Sequence, residues 1–404
     1  MMTHKINLTG SYFSLLILIL SLAFPVLGQV NEEEFKQQLN GVLVKDSLPG
    51  MAVVMVNKKG IVNSQVLGYA DIQANKPYTL NTVQPIGSVS KMILAVGLMK
   101  AIELGYFNLD TDINQILPFK VVNPFQPDHV ITIRELATHT SGIIDNPDIY
   151  TNTYRFNLKC PYSEALLKPM ASMGYQEKVR DSTLKEFYYN YLFKEGKYYS
   201  KAGFVNSTEG RTYAYSNIAT ALVAYLIEIK SGMSYSEFTF KYIFKPLHMN
   251  HSGWFTAKIK ESTQAKLYYN SELFFPLYDL LTYPDGGLKT DAVDLSKFLV
   301  DMLNGLTGKS VLLKRESFRI MFTPQFSVAH PPKGIRLEKR NKGIFWNLYT
   351  DGNIGHDGDD PGVSSYLLFN PSTSLGGLFI TNRYMANKES IYDIINKKIN
   401  VGMP

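Results

Sequence analysis

Ser88 and Lys91 lie three residues apart at the start of a strongly apolar segment of this 404-residue chain. The apolar residues that follow recur at helical spacing on more than one face, which predicts a buried helix that ends near Gly105. At positions i and i+3, both polar side chains lie on one side of its first turn. A serine hydroxyl is a weak nucleophile until a base takes its proton. Partial desolvation lowers the pKa of a lysine, so Lys91 can be that base.

The Ser-x-x-Lys pattern also has a structural interpretation. It recurs at Ser182 and Lys185 within a polar run, where the lysine can point to solvent. A helix could also begin near Ser88, with this serine as its N-cap and Lys91 extending outward. The pair alone therefore leaves a catalytic and a structural role open.

Tyr215 and Asn217 are the candidates for a second acid–base group and a substrate ligand. The Tyr-x-Asn pattern is common in this tyrosine-rich chain and recurs at residues 150–152, 188–190 and 268–270. The pair at 215–217 differs because it stands at the mouth of an apolar helix, from which both side chains can face a cleft. The structural alternative is a packed tyrosine followed by an asparagine that caps the helix.

His356 and Gly358 form a third candidate pair, just before a strongly apolar strand. Glycine there would let a substrate approach the strand backbone closely. The same His-x-Gly pattern at His251 and Gly253 has no strand pair after it. A lone histidine is more often structural than functional, so this pair gains meaning only from its company.

The elements that must position these residues follow from the hydrophobic pattern. Strands are predicted in residues 50–70, with a turn at 57–60, and again at 343–349, 362–370 and 375–383. Helices are predicted at 32–44, 88–105, 132–142, 216–232, 290–305 and 387–399. Strands at both ends with helices between them predict one sheet built from both ends of the chain and an inserted, mostly helical lobe. A cleft between the lobes is the expected place for a site.

Composition limits the class of protein. With 45% hydrophobic and 19% charged residues, the chain is globular. Residues 1–28 resemble a signal peptide with cleavage near Gly28, which predicts a periplasmic or secreted protein. A retained membrane anchor is the alternative, but the apolar core at 15–24 is shorter than the ~20 residues that a membrane span needs. Residues 29–404 then form a single catalytic domain, with a sheet lobe at about 29–105 and 311–404 and a helical lobe at about 106–310.

Charge and cysteine content exclude several kinds of partner. The net charge is +6, but basic residues are scattered, so we expect no nucleic acid partner. Cys160 is the single cysteine, which excludes an intrachain disulfide, and we expect it to be buried and unreactive. His248 and His251 lack further ligands at suitable spacing, so no metal or other cofactor is expected. The expected partner is a small-molecule or peptide substrate, with a membrane only if the N-terminal segment is retained. The oligomeric state stays open.

Taken in chain order, the three candidate pairs resemble the three motifs of serine β-lactamases and penicillin-binding DD-peptidases. The Tyr-x-Asn middle motif is similar to that of the class C branch. Four segments around the motifs are also similar to landmarks of that family, at 131–143, 213–228, 285–299 and 356–371. The resemblance extends over about residues 32–400, and it implies an antiparallel sheet flanked by helices.

The resemblance also implies a role for each residue. Ser88 would form the acyl-enzyme, and Lys91 would activate it. Tyr215 would pass a proton to the leaving group, and Asn217 would hold the substrate amide. The backbone N–H groups of Ser88 and Asp359 would form the oxyanion hole.

One residue departs from the pattern. His356 stands where the penicillin-hydrolysing members carry a lysine, which weakens the expectation of substrate-carboxylate binding beside Gly358. The predicted function is an exported serine hydrolase whose substrate is an amide, a peptide of the D-amino-acid cell-wall type, or an ester. The alternatives are a true class C-like β-lactamase and a slow penicillin-binding or sensor module.

Overall fold

The computed structural model describes residues 24–207 and 211–401. The helices are α1 Phe24–Lys45, α2 Ser90–Glu103, α3 Ile133–Ala137, α4 Pro147–Tyr150, α5 Leu167–Ser172, α6 Leu184–Leu192, α7 Asn217–Ser231, α8 Tyr235–Thr239, α9 Ala292–Gly305, α10 Arg315–Phe322 and α11 Glu389–Val401. The strands are β1 Gly50–Asn57, β2 Gly60–Asp71, β3 Lys76–Pro77, β4 Gln84–Pro85, β5 Tyr154–Phe156, β6 Leu267–Tyr268, β7 Phe274–Phe275, β8 Tyr278–Leu280, β9 Lys289–Thr290, β10 Arg340–Lys342, β11 Asn347–Tyr349, β12 Ile354–Asp360, β13 Val363–Asn370 and β14 Leu375–Thr381.

The main sheet is built from both ends of the chain. Its eight strands lie in the order β10-β11-β12-β13-β14-β1-β2-β3, and neighbouring strands are antiparallel. The joint between the two ends is the pairing of β1 with β14, in which Met51 lies opposite Thr381 and Asn57 lies opposite Leu375. The fold predicted from the sequence, an antiparallel sheet flanked by helices and made by both termini, is confirmed.

Strand β1 is buried on both faces because each face of the sheet carries its own apolar layer. Val54 and Val56 belong to the main core, where the helices of the inserted segment cover the sheet. Val53 and Met55 point the other way, into a second cluster made with residues of α1 and α11. A strand covered on both faces reads as a nearly continuous apolar run, as "GMAVVMV" does.

Helix α2 is packed inside the protein on all sides. Eleven of its 14 residues are buried, so it has no polar face toward solvent. It contacts α7 and α8, and the short pairing of β4 with β9 holds the segment just before it. The predicted all-round burial of this helix is therefore observed, and Gly105 follows its end with a positive φ of 75°.

Three predicted boundaries were wrong. His356 and Gly358 lie inside a strand, β12, and not before one; "IGHDGDD" is rich in residues depleted from strands, and pairing with β13 imposes the extended conformation. The predicted helix at 132–142 has its capping box at Thr132 and Glu135, but it ends at Ala137 because His139 adopts a φ of +60°. The predicted strand at 343–349 forms only over Asn347–Tyr349.

Two further predictions concern the N-terminal segment and Cys160. Most of the predicted signal peptide, residues 1–23, lies outside the described residues, and α1 already begins at Phe24. Within the described ranges, every helix is too short or too polar to cross a bilayer.

Cys160 is partly exposed, which corrects the expectation that it is buried. Desolvation raises the pKa of its thiol, so it stays protonated at neutral pH.

Candidate active site

Ser88 lies in a single 3₁₀ turn, Gly87–Val89, between β4 and α2. The turn needs a residue with positive φ, and Gly87 supplies it at 50°. The N-cap of α2 is Val89, which makes no side-chain capping bond. Ser88 is therefore not a helix cap, and its hydroxyl is free to face the neighbouring side chains.

Lys91 is fully buried and makes three hydrogen bonds through its Nζ atom. The partners are the Ser88 Oγ atom at 3.0 Å, the Asn217 Oδ1 atom at 2.7 Å and the Asp285 carbonyl oxygen at 2.6 Å. Two of these partners, the Asn217 Oδ1 atom and the Asp285 carbonyl oxygen, can only accept a hydrogen bond. A neutral amine therefore spends both N–H groups on Asn217 and Asp285 and turns its lone pair to the Ser88 hydroxyl. This is the arrangement that a general base requires.

Desolvation lowers the pKa of Lys91 to about 8, and the negative charges of Asp285 and Asp145 limit the decrease. About a tenth of the Lys91 side chains are therefore neutral at pH 7, far more than for a lysine with an ordinary pKa. The alternative in which Lys91 extends to solvent does not hold, because none of its surface is exposed.

Tyr215 lies on the other side of the serine, and its hydroxyl is 2.7 Å from the Ser88 Oγ atom. Desolvation, together with Asp357 and Asp285, raises the pKa of Tyr215 well above 10, although 39% of the residue surface is exposed. An ordinary pKa and a raised one both leave the phenol protonated at neutral pH. Tyr215 is therefore a proton donor here, while Lys91 is the group that can accept.

Asn217 is the first residue of α7, and Ser216 is the cap. Its Oδ1 atom accepts from Lys91, and its Nδ2 atom donates to the Asp145 carboxylate at 2.9 Å. Both polar ends are thus used within the protein. Asn217 orients Lys91 in this structure, in addition to the substrate contact that the resemblance implies.

Asp145 is a site residue that the sequence reasoning missed. Its two carboxylate oxygens accept from the Ser216 hydroxyl, the Asn217 amide side chain and the backbone N–H groups of Asn217 and Ile218, at 2.8–3.0 Å. Acidic groups favour helix N-termini because the orphan N–H groups and the dipole meet them there. The only signal in the sequence was weak: Asp145 follows shortly after the segment "THTSG" at 138–142. Nothing in the sequence connected Asp145 with α7.

Gly358 brings β12 against the serine turn. A Cβ atom at this position would lie 2.3 Å from the Ile86 carbonyl oxygen and 2.9 Å from the Ser88 backbone nitrogen, so only glycine fits. The close neighbour in the structure is therefore the serine turn of the protein itself. The close approach of a substrate to Gly358 stays a prediction. The same packing places the Asp359 backbone nitrogen 2.8 Å from the Cβ position of Gly87.

His356 is 4% exposed and lies beside Tyr215, with ring centroids 6.3 Å apart. Its Nδ1 atom is 2.5 Å from the Asp357 carbonyl oxygen, and its Nε2 atom has no partner among the described residues. Desolvation and the nearby Lys342 lower the pKa of His356, and the Asp357 carboxylate only partly opposes them. His356 is therefore neutral at pH 7.

A cleft of about 930 Å³ opens beside Ser88. Its wall includes Asn217 and the Asp359 segment, and tyrosines and acidic residues make up much of the rest. The carboxylate of Asp359 is held by Lys388, whose Nζ atom lies 2.5 Å from it. The same Nζ atom also binds the Asp357 carboxylate, at 3.2 Å. The cleft is large enough for a short peptide or an acylated small molecule.

The other copies of the motifs have structural roles. Ser182 is exposed and bonds Glu186 at the start of α6. His251 lies near Asp291 and Asp294, a grouping that could hold a metal ion by geometry alone. Protein donors already occupy it: His251 and Lys297 bind the two carboxylates at 2.6 and 2.8 Å. The other carboxylate oxygen of Asp291 accepts from the Asp294 backbone N–H group, which is the N-cap bond of α9.

Comparison with known proteins places this geometry in context. Residues 32–399 match the protein-family model described as Beta-lactamase. Protein flp of Staphylococcus aureus strain N315 is 21% identical over 380 residues, which cover 91% of this chain and 66% of that protein. The putative penicillin-binding protein PbpX of Bacillus subtilis is 24% identical over 303 residues, covering 73% and 64%. The chain thus spans slightly less than two thirds of these relatives.

Two further relatives extend the comparison. The human mitochondrial serine beta-lactamase-like protein LACTB is 25% identical over 404 residues, covering 81% of this chain and 70% of that protein. The solved octameric penicillin-binding protein homologue from Pyrococcus abyssi superposes with a TM-score of 0.71 at 23% identity, over 90% of this chain and 76% of that one. That structural likeness establishes the shared fold.

The lowered pKa of Lys91 predicts a pH dependence. Its neutral form is the base, so kcat/KM for an uncharged ester should rise about tenfold per pH unit below pH 8 and level off above it. Stopped-flow or colorimetric rates between pH 5.5 and 9.5 measure this profile. Lys91→Arg, which stays charged throughout, should lose the rise and nearly all activity. A flat profile from pH 6 to 8 would contradict the role of Lys91.

Asp145→Ala should be costly because the backbone N–H groups of Asn217 and Ile218 and the Asn217 side-chain amide lose their acceptor. We expect a loss of at least about 2 kcal/mol in the free energy of unfolding, together with a large loss of turnover as Lys91 loses its orientation. Asp148→Ala is the matched control, since Asp148 is exposed and such substitutions usually change stability by less than about 0.5 kcal/mol. Equal urea midpoints for the two variants would rule out this role of Asp145.

Proposed function

This chain belongs to the β-lactamase family, and we propose that it is a serine hydrolase that forms an acyl-enzyme on Ser88. The observation that carries the proposal is the position of the Ser88 Oγ atom. It lies 3.0 Å from a buried amine with a lowered pKa and 2.7 Å from a protonated phenol. One neighbour can remove the hydroxyl proton, and the other can supply a proton to a leaving group.

In the acylation step, the Ser88 proton moves to Lys91 as the Oγ atom bonds to the substrate carbonyl carbon. The bond to the leaving group then breaks, and the Tyr215 phenol gives its proton to the departing alcohol or amine. Lys91 returns a proton to Tyr215, and the support for this transfer is that both groups lie within hydrogen-bond distance of the same Ser88 Oγ atom. In deacylation, water replaces the leaving group and the same transfers run in reverse.

The oxyanion that forms in both steps needs fixed N–H donors. The backbone N–H groups of Ser88 and Asp359 are the candidates. The support for this pair is the contact of β12 with the serine turn. This contact brings the Asp359 nitrogen beside Gly87 and the Ser88 nitrogen beside Gly358. Because these donors belong to a strand and a tight turn, they need no rearrangement when charge develops.

For the substrate we propose an ester, an amide or a peptide of the D-amino-acid type. The family relationship supports the acyl-transfer chemistry, and the volume of the cleft accommodates such groups. For location we propose export to the periplasm or the exterior, which the signal-like composition of residues 1–28 supports.

A neutral His356 makes efficient penicillin or cephalosporin hydrolysis the weaker candidate. Those drugs carry a carboxylate, and the resemblance places a lysine where His356 stands. Of the described cations around the cleft, Lys388 is held by two aspartates and Arg383 donates to the carbonyl oxygens of Asp46 and Ser47. Neither offers a free positive charge beside Gly358.

A fluorophosphonate probe tests the proposed nucleophile. Because Ser88 is the serine flanked by both Lys91 and Tyr215, peptide mass spectrometry should find the label on Ser88. Ser88→Ala should abolish labelling and reduce ester turnover by several orders of magnitude, with an unchanged circular dichroism spectrum. Ser182→Ala is the matched control and should change neither. A label on Ser182 or Ser90 would overturn the assignment.

A cephalosporin and its carboxyl methyl ester test the β-lactamase alternative. An enzyme that binds the carboxylate gains about 1.5–3 kcal/mol from a charged hydrogen bond, so it prefers the free acid by on the order of 10- to 150-fold. Here kcat/KM should be low for both, and no higher for the free acid than for the methyl ester. A strong preference for the free acid, or a rate near the diffusional ceiling of ~10⁸ M⁻¹s⁻¹, would establish a true β-lactamase.

A further inference from the structure

Two carboxylates beside Ser88 have no role in the steps above. Asp285 contacts Lys91 through its backbone, since its carbonyl oxygen accepts a hydrogen bond from the Lys91 Nζ atom. Asp360 is the last residue of β12, just after the proposed oxyanion-hole residue Asp359. Both aspartates line the cleft that contains Ser88.

Each of these carboxylates has one oxygen that is satisfied and one that is not. Asp285 is 0% exposed, and its Oδ1 atom accepts from the Tyr150 hydroxyl at 3.0 Å. The Thr282 hydroxyl lies beside this carboxylate, but no hydrogen bond of standard geometry reaches the buried Oδ2 atom. Asp360 accepts at Oδ1 from the Tyr154 hydroxyl. The Tyr278 hydroxyl lies beside this carboxylate but donates to the Pro361 carbonyl oxygen, so no hydrogen bond of standard geometry reaches the buried Oδ2 atom. Buried polar atoms are nearly always paired, because an unpaired one costs free energy.

The walls around the two aspartates are aromatic. Tyr150 and Tyr154 meet edge to face with ring centroids 6.1 Å apart, and Tyr154 and Tyr175 do so at 5.0 Å. All three rings line the cleft. Tyrosine faces attract cations, and carboxylates attract them more strongly. The charged and titratable groups that act on the two aspartates, besides each other, are Lys91, Asp145, Tyr150, Tyr154, Tyr175, Tyr188, Tyr215, Tyr278 and Lys289.

The two lysines among these groups leave the oxygens unpaired. The Lys91 Nζ atom has its three bonds elsewhere, as described above. Lys289 is bound to Asp279 at 2.9 Å and to the carbonyl oxygens of Trp254 and Gly287. Desolvation raises the pKa of Asp285 to about 6 and that of Asp360 to about 7. A ligand that carries its own N–H donors and a positive charge would therefore stabilise both ionised carboxylates.

We propose that the substrate of this site carries a protonated amine, which the carboxylates of Asp285 and Asp360 bind within the wall formed by Tyr150, Tyr154 and Tyr175. This inference rests on the proposed hydrolase function and narrows its substrate class. It also agrees in sign with the neutral His356, since the cleft then discriminates against anionic substrates and in favour of cationic ones.

Pairs of esters that differ only in charge test the amine. On the acyl side, 4-nitrophenyl 6-aminohexanoate is compared with the heptanoate, in which a methyl group replaces the ammonium. On the leaving-group side, 4-(aminomethyl)phenyl butanoate is compared with 4-ethylphenyl butanoate. In the wild type, at least one ammonium ester should exceed its neutral partner about tenfold in kcat/KM, as expected for one charged hydrogen bond.

The variants are Asp285→Asn, Asp360→Asn and the double substitution, and the readout is the ratio of ammonium ester to neutral ester within each variant. Asparagine keeps the acceptor for each tyrosine hydroxyl, so folding, checked by circular dichroism, should persist in at least one single variant. The ratio should fall toward one. Asp148→Asn is the matched control: it removes the same charge from an exposed position two residues before Tyr150, outside the lining of the cleft, and should keep the ratio. The wild-type ratio should also rise from pH 6 to 8 as the carboxylates ionise, because the base Lys91 acts equally on both esters.

The outcomes separate the two proposals. If the neutral esters are hydrolysed through Ser88 and the ammonium esters are not preferred, or if the double variant keeps the preference, the amine site is wrong and the hydrolase stands. If no ester reacts and Ser88 takes no label, the hydrolase proposal fails. The amine site is then decided by ligand-observed NMR on Ser88→Ala, which should bind hexylammonium better than hexan-1-ol; equal binding would overturn it.

Discussion

The burial of one lysine governs the arrangement of this molecule. An ammonium group taken out of water is costly unless acceptors surround it, and its pKa falls when they do not fully compensate. The Lys91 Nζ atom meets this condition with three acceptors from three parts of the chain: the serine turn, the start of α7, and the loop that ends at Asp285. The same arrangement that makes burial tolerable leaves the amine basic enough, and neutral enough, to take a proton.

The supporting structure is rigid because each acceptor is itself held. Asp145 fixes the Asn217 amide and the first turn of α7 together, which decides which end of that amide faces Lys91. On the other side, Gly358 lets a strand lie against the serine turn where any side chain would collide with the Ile86 carbonyl oxygen. The position of the Ser88 hydroxyl is therefore set by backbone contacts and by the hydrogen bonds of the Asp145 carboxylate.

Much of this was accessible from the sequence, for identifiable reasons. The apolar helix behind Ser88, the capping box at Thr132 and the strands near both ends leave local patterns with a fixed period, so they could be predicted. Strand β12 could not, because its glycines and aspartates are extended only through pairing with β13. Asp145 and Asp285 were missed for a similar reason. What makes them site residues is proximity across more than 70 positions of sequence to Asn217 in one case and more than 190 to Lys91 in the other.

The seam between β1 and β14 also has a consequence for timing. The serine turn comes early in the chain, whereas β12, which supplies the Asp359 backbone, is made only after most of the protein has been synthesised, and it is tied to β1 through β13 and β14. A nascent or truncated polypeptide that lacks β12 carries the Ser88 hydroxyl without the Asp359 backbone beside it. Such a long-range closure is slow to form, so the full arrangement around Ser88 exists only in molecules that have been completed and folded.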